Sequence, residues 1–211
     1  MTPGQFARRV LGRNFHIAGE AYRRIFVDMS KVVAFVSEHT PQGANVLDVG
    51  GGDGYAANLL LSLRSDVQLT LIDVAPIVGS VISPANASRT TLRPATPIDR
   101  VDGRFDLITL TDVIHHVPLA ERAAFFHSLS ETAARTGCRK IVIKDIEPGN
   151  LRALLALWGD LYVTGDRGVT QIEADAIVLP GFRRAETEMI DFPNYCLVFL
   201  ADHLESGDGV Q

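Results

Sequence analysis

Cysteine is nearly missing from this chain: Cys138 and Cys196 are the only two, far apart and without metal-ligand spacing. That excludes a disulfide framework and a cysteine-built metal site, and it suits reduced thiols in an intracellular protein. No apolar run approaches the ~20 residues of a membrane span. "LRALLALWGDLYV" comes nearest and is broken by Arg152 and Asp160. The N-terminus, MTPGQFARRVLGRNF, carries charges but no uninterrupted apolar core, so it does not read as a secretory signal. There is no lysine-rich tract, and the net charge is -5, which speaks against affinity built on neutralising many phosphates. Internal repeats and low-complexity segments are also lacking. The expectation is a soluble, cytoplasmic protein with no nucleic-acid and no membrane partner. Its 211 residues suffice for one sizeable core.

What is present begins with helical spacing over residues 5–38, in Phe6, Val10, Leu11, Ala21, Ile25, Phe26, Met29, Val33 and Val36. "TPQGA" (40–44) breaks it, and strands then alternate with helices. Strands are expected at 45–49, 68–73, 105–110, 140–145, 183–190 and 196–202. Helices are expected at 54–64, 119–135 and 151–162, with a further one suggested at 170–178. The early strands are continuous apolar runs, as in a parallel sheet covered on both faces. Alternation of this kind implies a doubly wound α/β sheet. The stretch "FRRAETEMIDFPNYCLVFLADH" reads as an antiparallel hairpin turning at "DFPNY". Residues 77–104 are irregular, and only "SRTTLRP" stands where a third strand belongs.

"VLDVGGGDGYAANLLL" (46–61) gives up backbone rigidity at the end of a strand. Such a cluster serves either a tight turn or close passage of the chain around a ligand. Ligands of open α/β sheets sit beyond the C-terminal ends of the strands, where these glycines fall. Asp48 suits a ligand with a positive group and would repel a pyrophosphate. Asp73 ends the next strand, where a carboxylate can accept from a ribose diol. Gly52, Gly54 and Ala57 also satisfy a loose dinucleotide pattern. The register separates the two: the strand ends at Val49, so the turn opens on Gly50 with Asp48 against the site.

The segments "LDVGGGDG", "LTLIDVAP" (69–76), "FDLITLTDVIHHVP" (105–118) and "KIVIKDIEP" (140–148) stand in the order and near the spacing of a known family. Over residues 44–202 the chain resembles the class I S-adenosylmethionine-dependent methyltransferases of small-molecule type. That resemblance implies a mostly parallel seven-stranded sheet ending in an antiparallel hairpin. It implies S-adenosylmethionine as cofactor, with Asp48, Gly50, Gly51 and Gly52 by its methionine part, Asp73 and Val74 at its nucleoside, and Thr111 and Asp112 lining the pocket. The implied organisation is a helical lid (1–43), a cofactor-binding domain (44–204) and a tail (205–211).

His115 and His116 follow the fourth strand, and either suits a general base at neutral pH; adjacency does not say which. Asp145 is the candidate orienter. Asp112, Asp145, Glu147 and Asn150 invite a Mg²⁺ site, but their spacing does not match the family's metal-dependent branch, so no metal is expected. Tyr22, Phe26, Trp158 and Tyr162 are the candidate acceptor-binding aromatics. In the resembled family, N-terminal helices and the segment after the fifth strand cover the acceptor, and an apolar lid suits a hydrophobic or aromatic one. One departure stands out. The family commonly places an acidic residue after its third strand, by the adenine, and here only Asp99 in "LRPATPIDR" offers itself. The expected reaction is methyl transfer to oxygen or nitrogen of a small molecule. Alternatives are a cofactor-binding protein that no longer methylates, a nucleic-acid methyltransferase and a nicotinamide oxidoreductase. A homodimer stays open.

Overall fold

The protein is described by a computed structural model over residues 28–151, 153–154 and 170–202. Among these residues the chain builds α1 (Met29–His39), β1 (Asn45–Val49), α2 (Tyr55–Leu63), β2 (Gln68–Ile72), a four-residue α3 (Pro84–Ala87) and β3 (Thr90–Arg93). It continues with β4 (Leu107–Thr111), α4 (Arg122–Thr136), β5 (Lys140–Ile146), β6 (Phe182–Asp191) and β7 (Asn194–Ala201).

The strands form one sheet in the order β3-β2-β1-β4-β5-β7-β6. Strands β1 to β5 run parallel, and β7 inserts antiparallel between β5 and β6. Strand order reverses between β1 and β4, so the C-terminal ends of these two strands flank the crevice where such sheets bind ligands.

Alternate side chains feed two separate cores. Leu47, Val49, Ile108, Leu110, Ile141 and Ile143 meet Phe126, Leu129 and Ala133 of α4. On the other face Val46, Leu69, Leu71, Leu107 and Val142 pack under α1 and α2. Burial on both faces explains the uninterrupted apolar strands. In α1 the buried stripe Met29, Val32, Val33 and Val36 has helical spacing, and Asp28 caps the helix by accepting from the Ser30 N–H. α4 stops at Gly137, whose φ of 74° is the left-handed cap a glycine supplies.

Most expected elements are found with ends shifted by one or two residues. Two findings differ from expectation. The irregular stretch contains α3 and a strand, β3, pairing with β2 alone. β3 lies at the sheet edge with Thr91 and Leu92 exposed, so no apolar run marks it. The helix expected at 170–178 is instead extended chain with one 3-10 turn, Ala174–Ala176. Its buried residues are Ile172, Ile177 and Leu179, a spacing that fits chain laid across a sheet. Of the helix expected at 151–162, residues 151, 153 and 154 are helical and the remainder lies outside the described residues. Cys138 and Cys196 are both buried free thiols.

Candidate active site

Beyond Val49 the chain turns sharply. The N–H groups of Gly50 and Gly51 both donate to Ile72 O, at 2.9 and 3.3 Å, locking the turn to the end of β2. Gly51 has no room for a side chain: a Cβ there would lie 2.5 Å from Asp48 Oδ2 and 2.6 Å from Leu71 Cγ. At Gly52 the situation reverses, because φ is +53° and nothing lies within 4 Å of a Cβ position. The turn is therefore packed at Gly50 and Gly51 and open at Gly52, which leaves room for a ligand beside that backbone. Asp73 braces it: Oδ2 accepts from Gly52 N–H at 3.0 Å and Oδ1 from Ala75 N–H at 2.8 Å. A carboxylate has about four acceptor positions, so each oxygen keeps capacity for a diol hydroxyl. Open backbone and a braced, half-buried carboxylate fit a nucleoside.

Asp48 lies on the α1 face of the sheet, 3% exposed. Its Oδ1 accepts from Thr109 Oγ1 at 2.9 Å. With Thr109 and Thr111 it supplies the polar part of a small cavity otherwise walled by apolar residues such as Val32, Val33 and Val36. Burial pushes its pKa up to about 7; the Thr109 hydrogen bond opposes this and the neighbouring Asp73 charge adds to it.

On the opposite face, Val113 packs on Gly50, coming within 2.7 Å of where a Cβ would stand. Two residues later, His115 Nδ1 lies 2.7 Å from Asp145 Oδ1. Asp145 is fully buried and also accepts from the N–H groups of Ile114, His115 and Ile146. Burial alone would raise its pKa, but the charge and hydrogen bond of His115, together with Lys144 and the Ile146 N–H, bring it below the ordinary carboxylate value. The His116 ring packs on the His115 ring with centroids 4.2 Å apart, and His116 is half-buried.

The sequence places Lys144 at this end of β5 without naming its partner. The structure pairs its ammonium, 1% exposed, with Asp112. The Asp112 N–H donates to Lys144 O at 3.0 Å, and Asp112 adopts a left-handed φ of 59°. A signal was available: a lysine inside an apolar, doubly covered strand must find a counter-charge. Asp112, His115 and Asp145 each bring one atom within 4.8 Å of the others. A cation there would have to share Asp112 with Lys144.

Glu147 and Asn150 are not gathered with them. Glu147 Oε2 accepts from Ala174 N–H at 3.1 Å, and Asn150 Oδ1 accepts from Ala153 N–H at 2.7 Å. Both hold the chain in place. Asp99 lies on an exposed 3-10 turn whose neighbours are Thr132 and Arg135, in the last turns of α4. That part of α4 is near the N-terminal edge of the sheet, away from the glycine turn, so the departure after the third strand stands. Val74, next to Asp73, is 77% exposed, and Thr111 is half-buried at the end of β4. Tyr22, Phe26, Trp158 and Tyr162 lie outside the described residues.

A family model described as a methyltransferase domain matches residues 21–161. No curated protein matches the chain. Among solved structures it is similar to TnmH, with 23% identity and a TM-score of 0.69 over 93% of this chain and 60% of that one. It is also similar to the N,N-8-amino-8-demethyl-D-riboflavin dimethyltransferase of Streptomyces davawensis, at 16% identity and a TM-score of 0.70 over 95% and 62%. A third is the 1,6-didemethyltoxoflavin-N1-methyltransferase of Burkholderia thailandensis, at 15% identity and a TM-score of 0.63 over 95% and 91%. The chain thus spans 60% of the length of the first of these. At these identities the likeness establishes the fold.

Proposed function

The chain belongs to the class I S-adenosylmethionine-dependent methyltransferase family, and from that premise we propose that it transfers the methyl group of S-adenosylmethionine to an oxygen or nitrogen of a small, hydrophobic or aromatic metabolite. The observation that carries the reading is the His115–Asp145 pair, buried two residues from the contact of Val113 with the glycine turn. Small-molecule acceptors are supported by the flavin-type and toxoflavin-type compounds named for two of the similar structures.

The cofactor, when bound, supplies a methyl group already made electrophilic by a cationic sulfur. Gly50, Gly51 and Gly52 would hold it by backbone, Asp73 by its free acceptor capacity, and Val74 by apolar surface. Asp48, Thr111 and Asp112 would line its methionine end. The protein's remaining tasks are alignment, exclusion of water and removal of one proton. With Nδ1 beside the Asp145 carboxylate, a neutral His115 would keep its proton on Nδ1 and its lone pair on Nε2. The acceptor O–H or N–H gives its proton to Nε2 as it gains the methyl group. Asp145 fixes the ring orientation and stabilises the imidazolium that results. Tyr22, Phe26, Trp158 and Tyr162 would shape the acceptor pocket.

The test is S-adenosylhomocysteine release with a panel of phenols and aromatic amines. His115→Gln is expected to lower kcat by about 10²–10⁴-fold with cofactor affinity retained. An undiminished rate in His115→Gln that is lost in His116→Gln would move the base to His116. Cofactor binding without acceptor-dependent release would favour a protein that binds the nucleoside and does not methylate.

A further inference from the structure

We propose that Lys144 is a positioning residue for the glycine turn: its ion pair with Asp112 holds that residue in a left-handed backbone, and the resulting bend seats Val113 on Gly50. This rests on the reading of the turn as the cofactor site.

Alternation along β5 fixes where the lysine stands. Ile141 and Ile143 face α4, so Val142 and Lys144 face α1 and α2. The ammonium is 1% exposed, and a charge so placed must be paired. In β4, Leu110 faces α4, and Thr111 lies on the α1 side, in the wall of the Asp48 cavity. A strand continued through residue 112 would send Asp112 to the α4 face, away from the lysine. Instead Asp112 has a φ of 59°, its carboxylate contacts the Lys144 ammonium, and its N–H donates to Lys144 O at 3.0 Å. An aspartate enters the left-handed region more readily than most residues, but it still needs a reason. The ion pair supplies one.

The bend has its consequence one residue later. Val113 emerges on the α4 side, packed against the core that contains Leu110, Ile114 and Phe126. Its Cγ2 and Cγ1 stand 2.7 and 3.2 Å from the position of a Cβ on Gly50. Gly50, with a φ of 69°, donates in turn to Ile72 O at 2.9 Å. Contact is therefore unbroken from the lysine through Asp112 and Val113 to the turn. Without the ion pair Asp112 relaxes toward ordinary backbone, Val113 leaves its seat and the turn loosens. The charge of Lys144 also reaches Asp145, so turnover would mix two effects. The readouts are instead the turn itself and its affinity for the nucleoside.

The experiment compares the wild type, Lys144→Met, and the double variant Lys144→Met with Asp112→Gly, all in the full chain. Methionine keeps the length of the lysine stem, and glycine takes a positive φ without an ion pair. Amide hydrogen exchange at Gly50 and Gly51, followed by NMR without cofactor, is expected to quicken about tenfold in Lys144→Met and to slow again in the double variant. Calorimetric affinity for S-adenosylhomocysteine should fall about tenfold and recover in the same way. Unchanged exchange at Gly50 and Gly51 in Lys144→Met, or no recovery with glycine, overturns the proposal. A lysine that merely filled space would quicken exchange across β4 and β5 alike and gain nothing from the glycine. If Lys144→Met does not fold, Asp112→Ala and Asp112→Gly decide, since both cut the ion pair and differ in backbone preference. Exchange at the turn must be faster in the alanine variant, and equal exchange overturns the proposal. Exchange that responds while the affinity stays fixed would leave Lys144 tied to the turn and remove the turn as the cofactor site.

Discussion

Thr109 donates a 2.9 Å hydrogen bond to Asp48, and both side chains are buried on the α1 face of the sheet, lining a small cavity. Burial leaves Asp48 with a pKa of about 7 against an ordinary 3.8. Between those values the folded protein holds a proton that the unfolded chain has released. Stability from this group is therefore highest below pH 4, falls as pH rises through the interval and levels off above 7. At 1.36 kcal/mol per pK unit the ceiling is about 4 kcal/mol. Asp48→Asn should flatten this dependence and be more stable than wild type at pH 8, as read by urea denaturation at pH 5, 6, 7 and 8. Parallel pH profiles in the two proteins would contradict the burial argument.

The glycine turn makes opposite demands at adjacent positions. Gly51→Ala would drive a Cβ into Asp48 and Leu71, and an overpacking cost of about 1–3 kcal/mol is expected. Gly52→Ala meets no neighbour within 4 Å and should cost about 1–2 kcal/mol for its left-handed backbone. Its methyl group enters the open side of the turn, so cofactor affinity should fall more than tenfold. Thermal denaturation and calorimetric titration of both variants check this. Equal affinities in wild type and Gly52→Ala would mean that the open side is not the ligand's side.

Tyr195 reaches from β7 to donate a 2.8 Å hydrogen bond to Ile172 O. That bond fastens the extended segment whose Thr170 N–H donates to His115 O at 2.8 Å. Tyr195→Phe should cost about 1 kcal/mol, since a buried carbonyl loses its donor. Amide hydrogen exchange over residues 170–179 should quicken while β1 and β4 stay protected. Unchanged exchange over that segment would show that the hydroxyl does not secure it.

Where burial is two-sided, the fold was legible from the sequence. "VLDV" and "LITL" could be read as central strands because every side chain there is buried and had to be apolar or paired. β3 was marked only faintly, by "SRTTLRP", because an edge strand such as "TTLR" has solvent to satisfy it and needs no pattern. The stretch 170–178 misled because Ile172, Ala174, Ala176 and Ile177 suit a helix locally, while the Tyr195 hydroxyl and the Glu147 carboxylate, distant in sequence, hold it extended. The site divides the same way. Gly50–Gly52 and Asp73, joined here by the Gly52 N–H bond to the Asp73 carboxylate, could be singled out from spacing along one β-α-β unit. The Lys144–Asp112 pair joins two strands and needed the sheet order before it could be seen.

The central claim, that the turn at Gly50–Gly52 and Asp73 holds S-adenosylmethionine, is met most directly by calorimetric titration of the wild type and Asp73→Ala with S-adenosylmethionine, S-adenosylhomocysteine and NAD. Both sulfur nucleosides should bind the wild type and NAD should not. The Asp73→Ala variant should lose both, because the carboxylate that accepts from Gly52 N–H also serves the ribose. Binding of NAD alone, or nucleoside binding indifferent to Asp73, would contradict the account.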